Sequence, residues 1–479
     1  MNNLPALVTL VGYALGLVAI SVWATRKAKT EESFFLGERN LGPWVAGLAY
    51  AASSSSAWVL LGFSGFVYSV GPSALWMVPG ILVGYAVVWL YAGPILQRSS
   101  RSEGHVTLSD FLSAGTSARM AGCIRIAASI MIVFCFSYYI ASQFQGAGVA
   151  FDGIFDTGLT TGVLLGAGII LIYTFLGGFL AVSLIDTLQG LLIGAVAIIL
   201  PVVGLFYAGG IDGVSEAMAT MPPVYSQPFG SAQGMAALGF VVGLSATGFG
   251  ALGQPHLIAW IMAARDKKAR VRGAGVAIVW AALVYTGMAV LGLAGRVIFG
   301  ADAPAEGVFF EIANLALPTV LAGVIVAATL SAIMSTVDSQ LLVAGAAISH
   351  DLRLGKVSGG REVLVSRLAV AGVCLAAVFV TLELPSTIFE RTLFAWTALG
   401  ASFGPTVVMR AAGHRATGGA VLLSLLTGFA ASVAFEFFLP SGPGAVWART
   451  VPWALAFLPL ALSAALQSSA GPARSSGKA

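Results

Sequence analysis

The chain consists of long apolar stretches separated by short polar segments. Thirteen stretches reach the roughly 20 apolar residues that a helix needs to cross a bilayer. They lie at about 4–24, 44–70, 73–97, 121–150, 157–176, 180–207, 232–263, 273–298, 314–349, 364–383, 388–410, 416–438 and 446–467. The pattern therefore predicts an all-α polytopic membrane protein with about 13 transmembrane helices.

The composition agrees with this interpretation. Of the 479 residues, 58% are hydrophobic and 9% are charged, whereas soluble globular chains carry about 25% charged residues. The mean hydropathy is +0.92. We expect the first apolar stretch to be a membrane helix and not a signal peptide, because no cationic region precedes it and Arg26, Lys27 and Lys29 follow it. That stretch shows no polar feature that indicates a role of its own.

The basic residues predict the orientation in the membrane. If the N-terminus lies outside, all of the 24 Lys and Arg residues except Arg296, Arg391 and Arg449 fall on the inner side. Inner loops of membrane proteins are enriched in Lys and Arg. We therefore expect a multi-pass protein of the bacterial cytoplasmic (inner) membrane, with the N-terminus outside and the C-terminus cytoplasmic. The net charge of +4 then reflects topology and does not indicate nucleic-acid binding.

Two of the apolar stretches carry signals that break a helix. Ala51–Gly62 contains four consecutive serines, and Gly243–Pro255 contains four glycines before its proline. Irregular backbone at membrane depth is tolerated only where it faces protein or a wet cavity. Broken helices in corresponding positions of two halves indicate an inverted-repeat transporter with its site near the midplane. The spacing predicts one transmembrane domain with these parts: 1–43 (first helix and inner loop), 44–207 and 232–412 (five-helix repeats), and 413–479 (two peripheral helices and a tail).

Two acids fall deep within the apolar stretches, Asp186 and Asp338. A carboxylate at the bilayer centre costs about 2.5–3.5 kcal/mol on insertion scales, so it indicates function. Asp338 lies beside a small-residue and hydroxyl stripe with helical spacing, formed by Ala332, Ser335, Thr336 and Ser339. Oxygen ligands suit a small hard cation such as Na⁺, and a proton is the alternative.

Four stretches resemble the sodium/solute symporter family, and within it the bacterial sodium/proline symporters. They are FLGERNLGPWVAGLAYAASSSSAWVLLGFSG (35–65), GGFLAVSLIDTLQ (177–189) with GQPHLIAWIMAA (253–264), LSAIMSTVDSQLLVAGAAISHDL (330–352) and FAWTALGASFGP (394–405). The resemblance covers nearly the whole chain in order. It implies thirteen helices with a leucine-transporter-type 5+5 inverted-repeat core that contains two broken helices.

The resemblance also implies where sodium binds. The main site would use the carbonyl groups of Ala52, Ser55 and Ala332 and the hydroxyl groups of Ser335 and Thr336. A second sodium site, present in some family members, would correspond to Asp186, Ser335, Asp338 and Ser339.

The implied solute site departs from that of the proline transporters. This chain has Ser54 where they carry an aspartate, and Asp338 is a candidate to supply the missing charge. Thr247 and Ala251 replace substrate-facing aromatic residues, which predicts a larger and more polar pocket. The expected lining is Ser54, Ser56, Trp58, Tyr139, Thr247, Ala251, Gln254 and Pro255.

Together these features predict a sodium-coupled symporter that imports a small organic solute, most readily proline or a related amino acid or carboxylate. Proton coupling through Asp338 or Asp186 is one alternative. Another is a transporter-like membrane sensor that works with a partner protein. An enzyme is disfavoured, because the four histidines are scattered and no nucleophile–base pair or metal-ligand spacing is present.

Overall fold

The computed structural model describes residues 4–25, 39–174, 179–230, 232–352, 362–384, 386–438 and 445–469. The basic loop at 26–38, which includes residues 35–38 of the first family-like stretch, lies outside these ranges. So do residues 177–178 of the second stretch and the tail from 470. The described residues form helices and the segments that connect them. The prediction of an all-α protein is confirmed.

The described helices of the first half are numbered α1 to α11 in chain order. They are α1 (Leu4–Thr25), α2 (Pro43–Ala57), α3 (Ser64–Val70), α4 (Met77–Ala86), α5 (Gly93–Ser102), α6 (Leu108–Ser113), α7 (Ala118–Phe155), α8 (Leu159–Thr174), α9 (Phe179–Tyr207), α10 (Gly210–Thr220) and α11 (Pro223–Ser226). π-Helical turns at Trp58–Phe63 and Val87–Ala92 and a 3₁₀ turn at Gly71–Trp76 connect some of them.

The second half continues the same numbering. Its helices are α12 (Met235–Ala246), α13 (Pro255–Ala263), α14 (Lys267–Phe299), α15 (Val308–Ala316), α16 (Thr319–Ala346), α17 (Glu362–Glu383), α18 (Ile388–Ala411), α19 (Gly418–Phe438), α20 (Ala445–Ala448) and α21 (Val451–Ser469). Thr247–Gly253 and Ala305–Gly307 are 3₁₀ turns, and Ala347–Asp351 is a π-helical turn.

A helix, or a run of consecutive helices, occupies each of the thirteen predicted stretches. Within the described ranges, eight helical runs have the length and hydropathy of a membrane span, and three shorter apolar helices accompany them. The number of crossings therefore stays a prediction. The predicted start of the stretch 314–349 is wrong. Residue 314 lies in α15, and the extended residue Leu317 separates that helix from α16.

The helix that contains the serine run lies at the centre of the bundle. α2 packs against α9, α14 and α16, and every residue from Ala46 to Ala57 is buried. Small residues allow these close approaches. A Cβ added to Gly84 of α4, for instance, would lie 2.0 Å from the carbonyl oxygen of Gly248 in the second broken segment. Both broken segments are therefore held tightly by their neighbours.

Helix α18 defines the two ends of the molecule. Its 24 residues span roughly 36 Å, which is enough to cross the hydrocarbon core. At its start, Thr387 and Glu390 form a capping box. At its other end, the Arg410 guanidinium donates to the carbonyl oxygens of Leu112 and Ala114, 2.9 Å away in each case. The short helix α6 is thereby fixed at the end that the charge pattern predicts to be cytoplasmic.

Candidate ion and solute site

The first helix break occurs at Ser56. Its backbone has φ 39° and ψ −175°, which interrupts α2, and side chains replace the lost helical partners. The Ala57 N–H donates to Gln143 Oε1 on α7 at 3.0 Å, and the Trp58 N–H donates to Ser56 Oγ at 3.1 Å. The hydroxyl of Ser56, which we predicted to face the solute, thus caps the break. Gln143 supports the break from a neighbouring helix.

Ser53 joins three helices just before the break. Its hydroxyl lies 3.0 Å from Asp186 Oδ2 on α9 and 3.1 Å from the Ser335 carbonyl oxygen on α16. In return, Thr336 Oγ1 donates to the Ser53 carbonyl oxygen at 2.8 Å. The sequence did not single out Ser53, although the serine run contains it.

Three of the residues predicted to bind sodium, Asp186, Ser335 and Thr336, make this junction. Asp186, Ser335, Thr336 and Asp338 are completely buried, and Ser339 is 4% exposed. The Ser335 hydroxyl donates to the Ala332 carbonyl oxygen one turn back, at 3.1 Å. Thr336 Oγ1, whose hydrogen the Ser53 carbonyl oxygen accepts, also lies 3.1 Å from the Ala332 carbonyl oxygen. Because a hydroxyl that donates its hydrogen keeps its lone pairs, these oxygens remain able to ligate a cation.

The chemistry of the donors fits a small hard cation. The Asp186 carboxylate, the hydroxyl groups of Ser53 and Thr336 and the carbonyl groups of Ser53 and Ser335 meet at the junction of α2, α9 and α16, and these contacts involve oxygen atoms alone. Such oxygen-only sets suit alkali and alkaline-earth ions. Asp186 Oδ1 and Ser55 Oγ are buried and have no hydrogen-bond partner in the part of the chain that the structure describes. Both atoms are therefore available as ligands.

The second broken segment faces a small pocket. Trp58 and Thr247 line it together with Thr392, Leu393 and Trp396 of α18. Within the described ranges, Trp58 Nε1 and Thr247 Oγ1 are buried without a hydrogen-bond partner. They are the polar groups that a small solute could use. The contribution of α18 was not predicted from the sequence, although the FAWTALG motif lies on it.

Trp396 fixes α18 to the second broken segment. Its indole N–H donates to the Thr247 carbonyl oxygen at 2.8 Å. Gln254 makes a second link between the two elements. Its side-chain amide donates to the Trp396 carbonyl oxygen at 3.0 Å and to the Gly250 carbonyl oxygen at 3.2 Å. Gln254 does not line the small pocket, but it holds Trp396, which does.

The other predicted solute residues are distributed around the two breaks. The Ser54 hydroxyl donates to the Ala51 carbonyl oxygen at 2.9 Å and contacts the hydroxyl of Tyr85. The Tyr139 ring lies edge-on to His256, with a centroid distance of 6.2 Å. Ala251 is buried in the 3₁₀ turn, and Pro255 is the first residue of α13. The structure thus brings Trp58 and Thr247 into one pocket and turns Ser54 towards α4.

A large cavity opens at the predicted outer end, and we call it the outer vestibule. Its volume is about 750 Å³. Phe389 separates it from the small pocket, since its ring stacks on Trp58 (centroid distance 6.0 Å) and on Phe66 (4.6 Å). The Glu306 carboxylate accepts hydrogen bonds from the backbone N–H groups of Ile388 and Phe389 at 3.0 and 2.9 Å. Burial raises the pKa of Glu306.

A smaller inner cavity lies on the opposite side of the breaks. Ser339, Pro255 and His256 line it, and Thr107 and Asp351 lie at its predicted cytoplasmic end. The Thr107 hydroxyl donates to Asp351 Oδ1 at 2.9 Å. The cavity has room for about two water molecules. It therefore connects the predicted second ion site with the inner end of the protein.

Charged side chains beside α6 hold that inner end together. Asp110 Oδ1 lies 3.2 Å from Arg125, and Asp110 Oδ2 lies 3.3 Å from His350. Burial alone would raise the pKa of Asp110, but the hydrogen bond with His350 and the positive charges of His350 and Arg125 lower it to about 2. Asp110 therefore stays ionised throughout the physiological pH range.

Comparison with known proteins places these features in a family. Residues 34–428 match the family model for the sodium:solute symporter family. The chain is 32% identical over 426 residues to the high-affinity proline transporter PutP of Bacillus subtilis, covering 86% of this chain and 88% of that one. It is 31% identical over 450 residues to the sodium/proline symporter of Escherichia coli K12, covering 91% and 88%.

Solved structures share the fold. A Na⁺-coupled sialic acid symporter matches with a TM-score of 0.81 at 17% identity, covering 96% of this chain and 98% of the other. The inward-facing form of Mhp1 matches with a TM-score of 0.58 at 13% identity, covering 90% and 92%. The predicted leucine-transporter-type fold is thereby confirmed.

Proposed function

Because this chain belongs to the sodium:solute symporter family, we propose that it is a sodium-coupled secondary transporter that imports proline or a related small amino acid or carboxylate. The observation that carries the proposal is the junction of α2, α9 and α16 at Ser53, where buried oxygen atoms of Asp186 and Ser335 converge. The relatives named above are transporters, so the activity proposed is transport and not catalysis.

We propose two sodium sites at this junction. The main site comprises the carbonyl groups of Ala52, Ser55 and Ala332 with the hydroxyl groups of Ser335 and Thr336. The second comprises Asp186, Ser335, Asp338 and Ser339. The support for both is the burial of these residues and their all-oxygen chemistry.

The solute is proposed to bind beside the two breaks, at the small pocket, which has room for about one water molecule in this structure and has to widen to admit the solute. Trp58 and Thr247 offer it polar groups that lack an internal partner among the residues described. Ends of broken helices carry unpaired backbone groups, and the N-terminal end of a half-helix such as α13 favours a carboxylate. The names of the two bacterial relatives support proline as the first solute to test.

The transport cycle follows from these assignments. Na⁺ bound between α2 and α16 would hold the arrangement that is open towards the outer vestibule and would order the pocket. Rocking of one repeat against the other, with the proposed boundaries 44–207 and 232–412, would close the pocket under Phe389. Ion and solute would then leave through the inner cavity past Ser339, Thr107 and Asp351.

The energy available from sodium is sufficient for accumulation. One charge that moves across about 100 mV releases roughly 2.3 kcal/mol, and a tenfold sodium gradient adds about 1.4 kcal/mol. One ion can therefore sustain roughly 500-fold accumulation of the solute.

The protein is proposed to lie in the bacterial cytoplasmic membrane with its N-terminus outside. Apolar helices support the membrane location, and the asymmetry of basic residues supports the orientation. The proposed partners are accordingly the bilayer, sodium ions and the solute.

Uptake of radiolabelled proline into proteoliposomes tests the function. The vesicles should receive an inward sodium gradient, or choline in its place, and parallel assays should offer other amino acids and small carboxylates. We expect uptake of at least one of these solutes only with sodium. Uptake that persists in choline and follows an imposed proton gradient would instead establish the proton-coupled alternative.

A further inference from the structure

Helix α1 lies outside the part of the chain that matches the family model, which begins at residue 34. It nevertheless packs closely against α16, the helix that carries the hydroxyl stripe. A Cβ added to Gly323 of α16 would lie 2.7 Å from the Ala6 carbonyl oxygen. The first helix is therefore docked on the ion-binding core and not merely adjacent to it.

The polar contact of α1 with the core is made by Tyr13. Its hydroxyl lies 2.5 Å from Ser331 Oγ on α16 and 3.3 Å from Gln189 Nε2 on α9. The Ser331 hydroxyl donates its own hydrogen to the Ala327 carbonyl oxygen at 2.6 Å. Tyr13 must therefore donate to Ser331 while it accepts from Gln189, so both hydrogen bonds have a defined direction.

These contacts lie next to the proposed second sodium site. Gln189 follows Asp186 by three residues, and Ser331 precedes Ser335 by four, so each pair shares one helix face. Ser331 is completely buried and Gln189 is 1% exposed. Tyr13 therefore links α9 to α16 within one turn of the carboxylate of Asp186 and the hydroxyl of Ser335.

Two separate groups thus hold the same pair of helices. Ser53 connects α9 to α16 from the broken helix α2, which belongs to the same proposed repeat as α9. Tyr13 makes its connection from α1, which lies outside both proposed repeats. The two contacts are therefore made from separate elements, and the loss of one does not remove the other.

We propose that Tyr13 is a positioning residue for sodium: it sets the spacing between α9 and α16 and thereby the affinity of the ion site between them. This inference rests on the proposed sodium sites but not on the identity of the solute. Removal of the Tyr13 hydroxyl keeps all the proposed sodium ligands in the chain, but the distance between those on α9 and those on α16 is then less strictly fixed.

Sodium titration of the purified full-length protein tests the proposal without any solute. The midpoint of thermal unfolding is measured against NaCl, with choline chloride added to keep the ionic strength constant, and yields an apparent sodium Kd. The variants are Tyr13→Phe, Ser331→Ala and the double mutant. Tyr91→Phe, which removes a hydroxyl from a side chain that is 45% exposed, is the matched control.

We expect each single variant to raise the apparent sodium Kd about threefold to tenfold, the scale of a buried hydrogen bond. The double variant should be no worse than Tyr13→Phe, because either single change already breaks the link between α9 and α16. Tyr91→Phe should match the wild type. Ser331→Ala makes the smaller change and provides the test if Tyr13→Phe does not fold.

A merely structural role would give a different result. It would lower the unfolding midpoint equally with and without sodium and leave the apparent Kd unchanged, which would overturn the proposal. A wild-type midpoint that does not respond to sodium would overturn the sodium sites as well. Absence of proline uptake by the same preparation bears on the solute alone, because the titration contains none.

Discussion

The hydroxyl of Ser53 donates to the carboxylate of Asp186 across 3.0 Å and so joins residues 133 positions apart in the chain. Both side chains are completely buried, where an unpaired carboxylate oxygen is strongly disfavoured. The serine helix α2 therefore cannot shift relative to α9 unless this bond breaks or a cation takes its place. That relationship links ion binding to the position of the broken helix.

Replacing Ser53 with alanine should weaken sodium binding. The change removes the donor to Asp186 and the contact with the Ser335 carbonyl group, and the sodium concentration for half-maximal uptake should rise roughly tenfold. Ser64→Ala is the matched control, since the Ser64 hydroxyl is equally buried and, among the described residues, bonds to carbonyl groups of its own helical turn, those of Leu60 and Leu61. Equal sodium dependence in both variants would contradict the role of Ser53.

Neutralising Asp338 should change the number of ions transported. Asp338→Asn removes a charge from the proposed second site and leaves the main site intact, so we expect the ratio of sodium to solute to fall from two to one. Parallel ²²Na⁺ and solute fluxes in proteoliposomes measure that ratio. Asp186→Asn should do the same, and a ratio that is unchanged in both variants would mean that the carboxylates serve only the fold.

Changing Thr247 to valine should affect the solute and not the ion. The Thr247 hydroxyl is buried, lines the small pocket and has no hydrogen-bond partner within the described ranges. Its loss should raise the KM for the solute about fivefold while sodium dependence stays the same. Thr427→Val, which removes a hydroxyl that bonds to the Leu423 carbonyl oxygen of α19, should leave both quantities unaltered.

A methyl group at Gly250 should separate α18 from the second broken segment. The added Cβ would lie 2.1 Å from Trp396 Nε1 and 2.2 Å from its Cδ1, so the ring has to give up its bond to the Thr247 carbonyl oxygen. We expect Gly250→Ala to abolish uptake and to lower the midpoint of thermal unfolding. Gly168→Ala on α8, where a Cβ meets nothing within 4 Å, should do neither.

Features that local chemistry dictates could be predicted from the sequence. Long apolar stretches predict helices because a bilayer admits little else, and the serine run and the glycine-rich segment predicted both breaks because these residues disfavour a helix. The hydroxyl stripe on α16 followed from its helical spacing. Of the stripe residues, Ser335 and Thr336 contact Ser53 of the serine run.

The remaining features depend on which helices meet, and that is not visible in local spacing. Four adjacent serines look alike in the sequence, yet Ser53 faces Asp186 while Ser54 turns to Tyr85. We expected no polar role for the first stretch, and that expectation was wrong for Tyr13, whose partners lie on α9 and α16. Trp396 was overlooked for the same reason, since its partner, the Thr247 carbonyl group, lies 149 residues away.

The most direct test of sodium binding between α2 and α16 is the sodium dependence of solute uptake by the Ser335→Ala/Thr336→Ala double variant. Uptake into proteoliposomes should be measured against external sodium at saturating solute. We predict that half-maximal uptake requires at least about tenfold more sodium than in the wild type, because two proposed ligands are lost. A sodium dependence equal to that of the wild type would contradict the claim that the cation binds between these two helices.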